Sequence, residues 1–256
     1  MVMPSNKAPS YDKIPVFVIK DFLSYILPAL TALKNSSFSN SVFPKAWKRS
    51  EVVPHRKDGD HETPSNSRPI SLLPVLSKVT EKITQNQFTE YLTQQGNLTC
   101  HQSGNRKFHS TDTLSLLVTG HIYKAMDKKE ITAMVLIALS KAFDGICHRT
   151  LVTKLKGLGA SNEALNWFES YLTNRMQSTR LGTSRSIELT VTHGVPQGSI
   201  LGPLIISLYM NDLQSVVKFS SVESYVDDTK VYLSCSSTNS DSCLAKVSEE
   251  IRLIAS

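Results

Sequence analysis

Two adjacent aspartates, Asp227 and Asp228, end the string Tyr225-Val226-Asp227-Asp228. The surrounding segment, Val222 to Leu233, reads as strand, tight turn, strand. An acidic pair at a hairpin tip between apolar strands is a poor choice for a plain turn. It is a good choice for holding two divalent cations beside a nucleotide. Taken alone, the same four residues would also suit an ordinary solvated turn. Two strings lie upstream: Gly194-Val-Pro-Gln-Gly-Ser-Ile-Leu-Gly-Pro203 and Leu139-Ser-Lys-Ala-Phe-Asp144. In the first, Gly194 and Gly198 would let backbone approach a nucleic-acid strand closely. Pro196 stiffens the turn, and Gln197 offers an amide able to read or brace a base pair. Ser199 suits the cap of a following helix, near whose start alone Pro203 is tolerable. Nucleotidyl transfer asks for this kind of equipment: two cations about 4 Å apart, one activating a 3′-hydroxyl and one steadying a triphosphate.

These residues need elements to carry them. The run Ile131 to Leu139 reads as a buried strand, and Ser199 to Leu213 as a helix. Helical spacing appears from Pro15 to Leu27, with a second pattern starting at Pro28. It recurs over Ile70 to Leu92, with Glu and Gln on the outer face, and over Thr113 to Met126, His148 to Leu158 and Asn162 to Leu172. Lys48 to Pro54 and Ile187 to Thr192 read as strands, and His55 to Ser67 as a polar loop. A Ser-rich connector, Ser234 to Ser242, leads to an amphipathic segment, Leu244 to Ile254. Strands and helices mix without regular alternation, which predicts an α+β fold.

Composition sets the outer bounds. With 256 residues and 40% hydrophobic content, the chain can build one large domain or two small ones. The net charge of +6 suits a polyanionic partner, and Lys45, Lys48, Arg49, Arg56, Lys57 and Arg68 concentrate it locally. The four cysteines form no CxxC pair, which speaks against zinc. No apolar run reaches the roughly 18–20 residues of a membrane span, and the N-terminus lacks a basic-then-apolar leader. An intracellular protein of nucleus or cytoplasm, neither secreted nor membrane-bound, is expected.

The three strings, in this order, resemble the palm of a reverse transcriptase. Further matches widen the resemblance: Phe43-Pro-Lys-Ala-Trp-Lys48, Lys57-Asp-Gly-Asp60, Arg68-Pro-Ile-Ser-Leu-Leu-Pro74, Gln102-Ser-Gly104, His109-Ser-Thr111, Trp167-Phe-Glu-Ser-Tyr-Leu172 and Asn211-Asp-Leu213. Together they cover roughly residues 12 to 233 and are similar to the reverse transcriptase domain of jockey-like, non-LTR retrotransposons. The resemblance implies right-hand polymerase fingers and palm, with a small antiparallel sheet flanked by helices. Its expected layout is a helical extension over 1–40, fingers over 41–130, palm over 131–233 and a remainder over 234–256, the thumb missing. It implies magnesium, with manganese as the alternative, and an RNA template, a DNA primer and deoxynucleoside triphosphates as partners. Asp227 and Asp228 become catalytic metal ligands. Lys57, Arg106, Phe143 and Gln197 become nucleotide contacts, Phe143 blocking a 2′-hydroxyl. Arg68, Gln102, Gly194, Pro196, Gly198 and Tyr225 would line template and primer.

One residue departs from the pattern where chemistry depends on it. The family places a metal-binding aspartate at the end of the buried strand, and here that position is Ala138. A methyl group cannot ligate magnesium. Asp144 lies six residues on, about 20 Å away along an extended strand, and Asp127 precedes the strand. Ser67 and Asn105 stand where the family usually has aromatic residues. A truncated copy with impaired catalysis is expected, or else a non-catalytic nucleic-acid-binding remnant.

Overall fold

The computed structural model describes residues 8–57, 66–139 and 141–255. In chain order the helices and strands are α1 (Val16–Asp21), α2 (Leu23–Ser39), β1 (Arg49–Arg56), β2 (Ser67–Leu72), α3 (Val75–Gln94), α4 (Thr111–Asp127), β3 (Glu130–Ala138), α5 (Ala142–Gly145), α6 (His148–Gly157), α7 (Asn162–Leu172), β4 (Arg175–Leu181), β5 (Ser184–Arg185), β6 (Leu189–Val191), α8 (Leu201–Tyr209), β7 (Ser221–Tyr225), β8 (Asp228–Ser236) and α9 (Ser240–Ala255). The class is α+β. The chain divides into two compact units, Met1–Phe88 with Phe143–Gly202 and Thr89–Ala142 with Pro203–Ser256.

The first unit holds a sheet in the order β2-β1-β4, with β5 and β6 paired to β4. β1 runs antiparallel to β2, Val53 facing Ile70, and parallel to β4, Glu51 facing Ser178. Beside the sheet lies an aromatic core. The Phe43 ring meets Trp167 and Tyr171 edge-on, at 5.5 and 5.0 Å between centroids. Two motifs distant in sequence, Phe43–Lys48 and Trp167–Leu172, therefore meet as packing partners. Their backbone is tied as well, since the Phe43 N–H donates to Ser170 Oγ at 3.0 Å. Glu51, nearly fully buried on β1, takes ion pairs from Arg180 and Arg185, which face each other across β4 and β5. Its carboxylate relieves the repulsion that two opposed guanidinium groups would otherwise suffer.

The second unit holds the antiparallel sheet β3-β8-β7. Val222 and Val231 pair across β7 and β8 and sit in the core with Val217, covered by Ile251 and Ile254 of α9 and joined by Leu213 and Ile137. The Glu250 carboxylate of α9 accepts the N–H groups of Lys218, Phe219 and Ser220 at 2.6, 2.6 and 3.0 Å. That fixes the chain as it enters β7. On the sheet's opposite face, the rings of His121 from α4 and Tyr232 from β8 meet at 5.8 Å. α4 starts on a capping box in which Ser110 and Thr113 exchange hydrogen bonds.

Several local expectations change. Pro28 lies inside α2 rather than beginning a new helix, so that helix runs on without one backbone donor. Ile70 to Leu72 is strand, because pairing with β1 overrides local helical spacing, and the helix begins only at Val75. The polar residues Ser77, Thr80, Glu81 and Thr84 of α3 are buried rather than outward-facing. β4 was not foreseen. β3 is not buried on both faces: Leu136 is 70% exposed.

Candidate active-site elements

β7 and β8 are joined by the two-residue turn Val226-Asp227, with Tyr225 facing Asp228 across the hairpin. Hairpins this short require positive φ at their first central residue. Val226 has φ 58°, an uncommon conformation for a β-branched residue. Asp227 and Tyr225 are half-buried, and Asp228 is exposed. The ladder between β3 and β8 ends with Ala138 opposite Asp228. Directly opposed residues project from one face with Cβ atoms about 4.5–5.5 Å apart. Ala138 is thus the immediate cross-strand neighbour of Asp228.

Gln102 does not stand open to a template strand. It is 4% exposed, and its side-chain amide is engaged with the turn: Nε2 donates to the Val226 carbonyl at 3.1 Å, and Oε1 accepts the Val226 N–H at 2.9 Å. Arg106 braces the same stretch, its Nη1 donating to the Thr99 carbonyl at 2.8 Å. Asn211 is a contributor that the sequence marked only as part of a motif. Its side chain accepts the Thr99 N–H at 3.0 Å and donates to the Asn97 carbonyl at 3.2 Å.

In the first unit, the glycine loop is shaped by the protein's own backbone. Gly194 has φ +77°, and a Cβ there would fall 2.5 Å from the Phe143 carbonyl oxygen and 2.7 Å from Asp144 Cα. Gly198 has φ +122°, and its Cβ would fall 2.7 Å from the Ser71 carbonyl oxygen. The spaces that a nucleic-acid strand was expected to use are filled by α5 and β2. The Ser71 N–H also donates to the Gln197 carbonyl at 2.7 Å, and the Val195 N–H to the Phe143 carbonyl at 2.7 Å. Ser199 caps α8 as foreseen, its Oγ accepting the Gly202 N–H at 3.0 Å and donating to the Pro196 carbonyl at 2.8 Å. Phe143 is half-buried, with its ring at Gly202. Lys57 is exposed just past the end of β1 and Arg68 is exposed on β2, while the Asp58–Asp60 part of the Lys57 motif lies outside the described residues.

Glu81 escaped the sequence reading. Fully buried, it accepts the Ile200 N–H at 2.7 Å, the Leu201 N–H at 3.3 Å and the Ser77 hydroxyl at 2.8 Å. It therefore anchors the start of α8, directly after the glycine loop. Burial pushes its carboxyl above the usual range, against the pull of Arg175 and these hydrogen bonds. The available signal was a glutamate surrounded by small polar residues at helical spacing, Ser77, Thr80 and Thr84.

An acidic hairpin at the end of the β3–β8 ladder, and a glycine loop feeding a buried helix, are joined by a sequence match. Residues 55–254 fit the family described as reverse transcriptase (RNA-dependent DNA polymerase), and the chain belongs to that family as a domain of the jockey-like, non-LTR retrotransposon kind. It is similar to the probable RNA-directed DNA polymerase from transposon BS of Drosophila melanogaster, 35% identical over 82% of this chain and 23% of that protein. It is similar also to the probable RNA-directed DNA polymerase from transposon X-element of the same fly, 34% identical over 89% of the chain and 25% of the relative. The RNA-directed DNA polymerase from mobile element jockey is 30% identical over 96% of the chain and 27% of the relative. The chain thus spans about a quarter of the length of these relatives.

Two divalent ions need carboxylates from more than one strand. Among the described residues no three His, Cys, Asp or Glu side chains cluster as metal ligands, and Asp228 faces a methyl group across the ladder. This donor set does not fit a magnesium pair. No helix among the described residues is long and apolar enough to cross a membrane.

Proposed function

We propose that this chain is the fingers and palm of an RNA-directed DNA polymerase whose own catalysis is disabled at Ala138. The observation that carries this reading is the register that sets Ala138 opposite Asp228. In an intact relative, an aspartate there would complete the donor set of Asp227 and Asp228. β3, β7 and β8 are the palm sheet, and Asp227 and Asp228 are its surviving metal ligands. Lys57 and Arg106 contact the incoming triphosphate, Phe143 excludes a 2′-hydroxyl, and Gln197 with Pro196 meets the template and nucleotide. Arg68 and Tyr225 line the template and primer path. The substrates are an RNA template, a DNA primer and deoxynucleoside triphosphates, and magnesium would be the ion once Ala138→Asp completes the donor set.

Primer extension on an RNA template tests this directly. The native chain is expected to extend weakly or not at all, and Ala138→Asp to extend faster by several powers of ten, because catalytic groups that act as a unit fail together. Extension by the native chain that Asp227→Ala abolishes would overturn the impaired reading. A second reading is favoured by the exposed cations Lys57 and Arg68 in a chain whose donor set is incomplete. In it, the chain binds nucleic acid without catalysis.

A further inference from the structure

Val226 is the residue through which the fold must aim the acidic pair, and it is poorly suited to its own conformation. It sits between β7 and Asp227 at φ 58°, where β-branched side chains are strained. As a turn residue it cannot pass its backbone groups to a ladder partner. Gln102 takes them instead. A primary amide carries the same donor and acceptor as a peptide group, so it can pair with backbone as a strand would. Here it grips both peptides that flank Val226, donating to its carbonyl at 3.1 Å and accepting its N–H at 2.9 Å. The same Oε1 accepts the Gly104 N–H at 2.8 Å, which fixes the side chain against its own loop.

The rest of the loop is built to deliver this grip. His101 to Ser103 run beside β7, with the Ser224 N–H donating to the His101 carbonyl and the Ser103 N–H to the Ser224 carbonyl, each at 2.8 Å. Gly104 has no room for a side chain: a Cβ would fall 2.7 Å from the Val226 nitrogen and 2.8 Å from its Cγ2. Asn211 and Arg106 tie down the residues just before it, through Thr99.

We propose that Gln102 is the positioning residue of the Asp227–Asp228 pair, holding Val226 left-handed and so setting where the two carboxylates point. The proposal rests on the polymerase reading for its purpose and on the hydrogen bonds alone for its mechanism.

Two variants separate these. Gln102→Met keeps length and removes donor and acceptor; Gln102→Glu keeps the acceptor for the Val226 and Gly104 N–H groups. Amide exchange by NMR on the otherwise native chain should accelerate tenfold or more at Val226 and Gly104 in Gln102→Met, and remain slow in Gln102→Glu. The side-chain carboxylate carbon-13 signals of Asp227 and Asp228 should move in Gln102→Met. In an Ala138→Asp background, Gln102→Met should lower kcat tenfold or more with KM for the nucleotide within twofold, and Gln102→Glu should recover part of it. Unchanged exchange at Val226 overturns the clamp. Faster exchange with unmoved aspartate signals reduces Gln102 to a structural part and overturns the positioning role. If Ala138→Asp never extends a primer, the single-lost-ligand reading falls, while the exchange and carbon-13 results still decide on Gln102. Should Gln102→Met not fold, Gln102→Asn, polar but one methylene too short to reach the turn, replaces it in every arm with the same expected and overturning results.

Discussion

At the scale of single residues, the site elements depend on positions where a side chain is missing by necessity. Gly194 and Gly198 each combine positive φ with a neighbour's backbone inside van der Waals range. A backbone atom cannot swing aside as a lysine tip can. Gly194→Ala and Gly198→Ala are therefore expected to cost about 2–3 kcal/mol each, from left-handed strain plus overlap. Chemical denaturation would read it as a lower midpoint at constant slope. Phe108 is the opposite case. It adopts φ 65° while 98% exposed, so its ring gains nothing from packing and its backbone is strained. Phe108→Gly should hold or raise stability by up to about 1 kcal/mol, read from the same denaturation midpoint, because relief of strain offsets the greater freedom of the unfolded chain.

At the scale of elements, two buried glutamates tie helices to the site segments, and their pH signatures have opposite signs. Glu250 of α9 is opposed by burial, yet hydrogen bonds from Ser220, Phe219 and Lys218 hold its carboxyl below the usual range. A depressed folded value gives stability that is present above the unfolded value and lost as pH falls through the folded one. Glu250→Gln should cost about 2–3 kcal/mol near neutrality, since three backbone donors lose a charged acceptor, and should flatten the acid limb of the stability profile. Glu81 is raised, chiefly by burial. Its ionisation therefore works against folding, and stability should fall as pH rises from the ordinary carboxylate range through the raised value. Glu81→Gln should remove that decline, while Glu81→Leu should destabilise the fold at every pH by orphaning the Ile200 and Leu201 N–H groups. Thermal or urea melts across pH compare the profiles.

At the scale of the whole molecule, a net charge of +6 and the exposed cations Lys57 and Arg68 set the expected response to salt. Fluorescence anisotropy with an RNA–DNA hybrid should show affinity falling linearly on logarithmic axes as salt rises, with a slope set by the phosphates contacted. Lys57→Ala and Arg68→Ala should each reduce that slope by about one contact. Binding that ignores salt would sink the nucleic-acid reading in both its catalytic and non-catalytic forms.

Sequence alone carried the family, the mixed α+β class and the acidic hairpin. Those signals are local: a turn or a cap is legible in a few consecutive residues. Tertiary structure alone decided that Ala138 faces Asp228, that Gly194 and Gly198 make room for Phe143 and Ser71, and that Gln102 closes on Val226. Each of these depends on which strands pair and in what register, and register is fixed by burial across distant segments rather than by neighbouring residues. The same reason hid Glu81, whose polarity suggested solvent until the start of α8 supplied its donors.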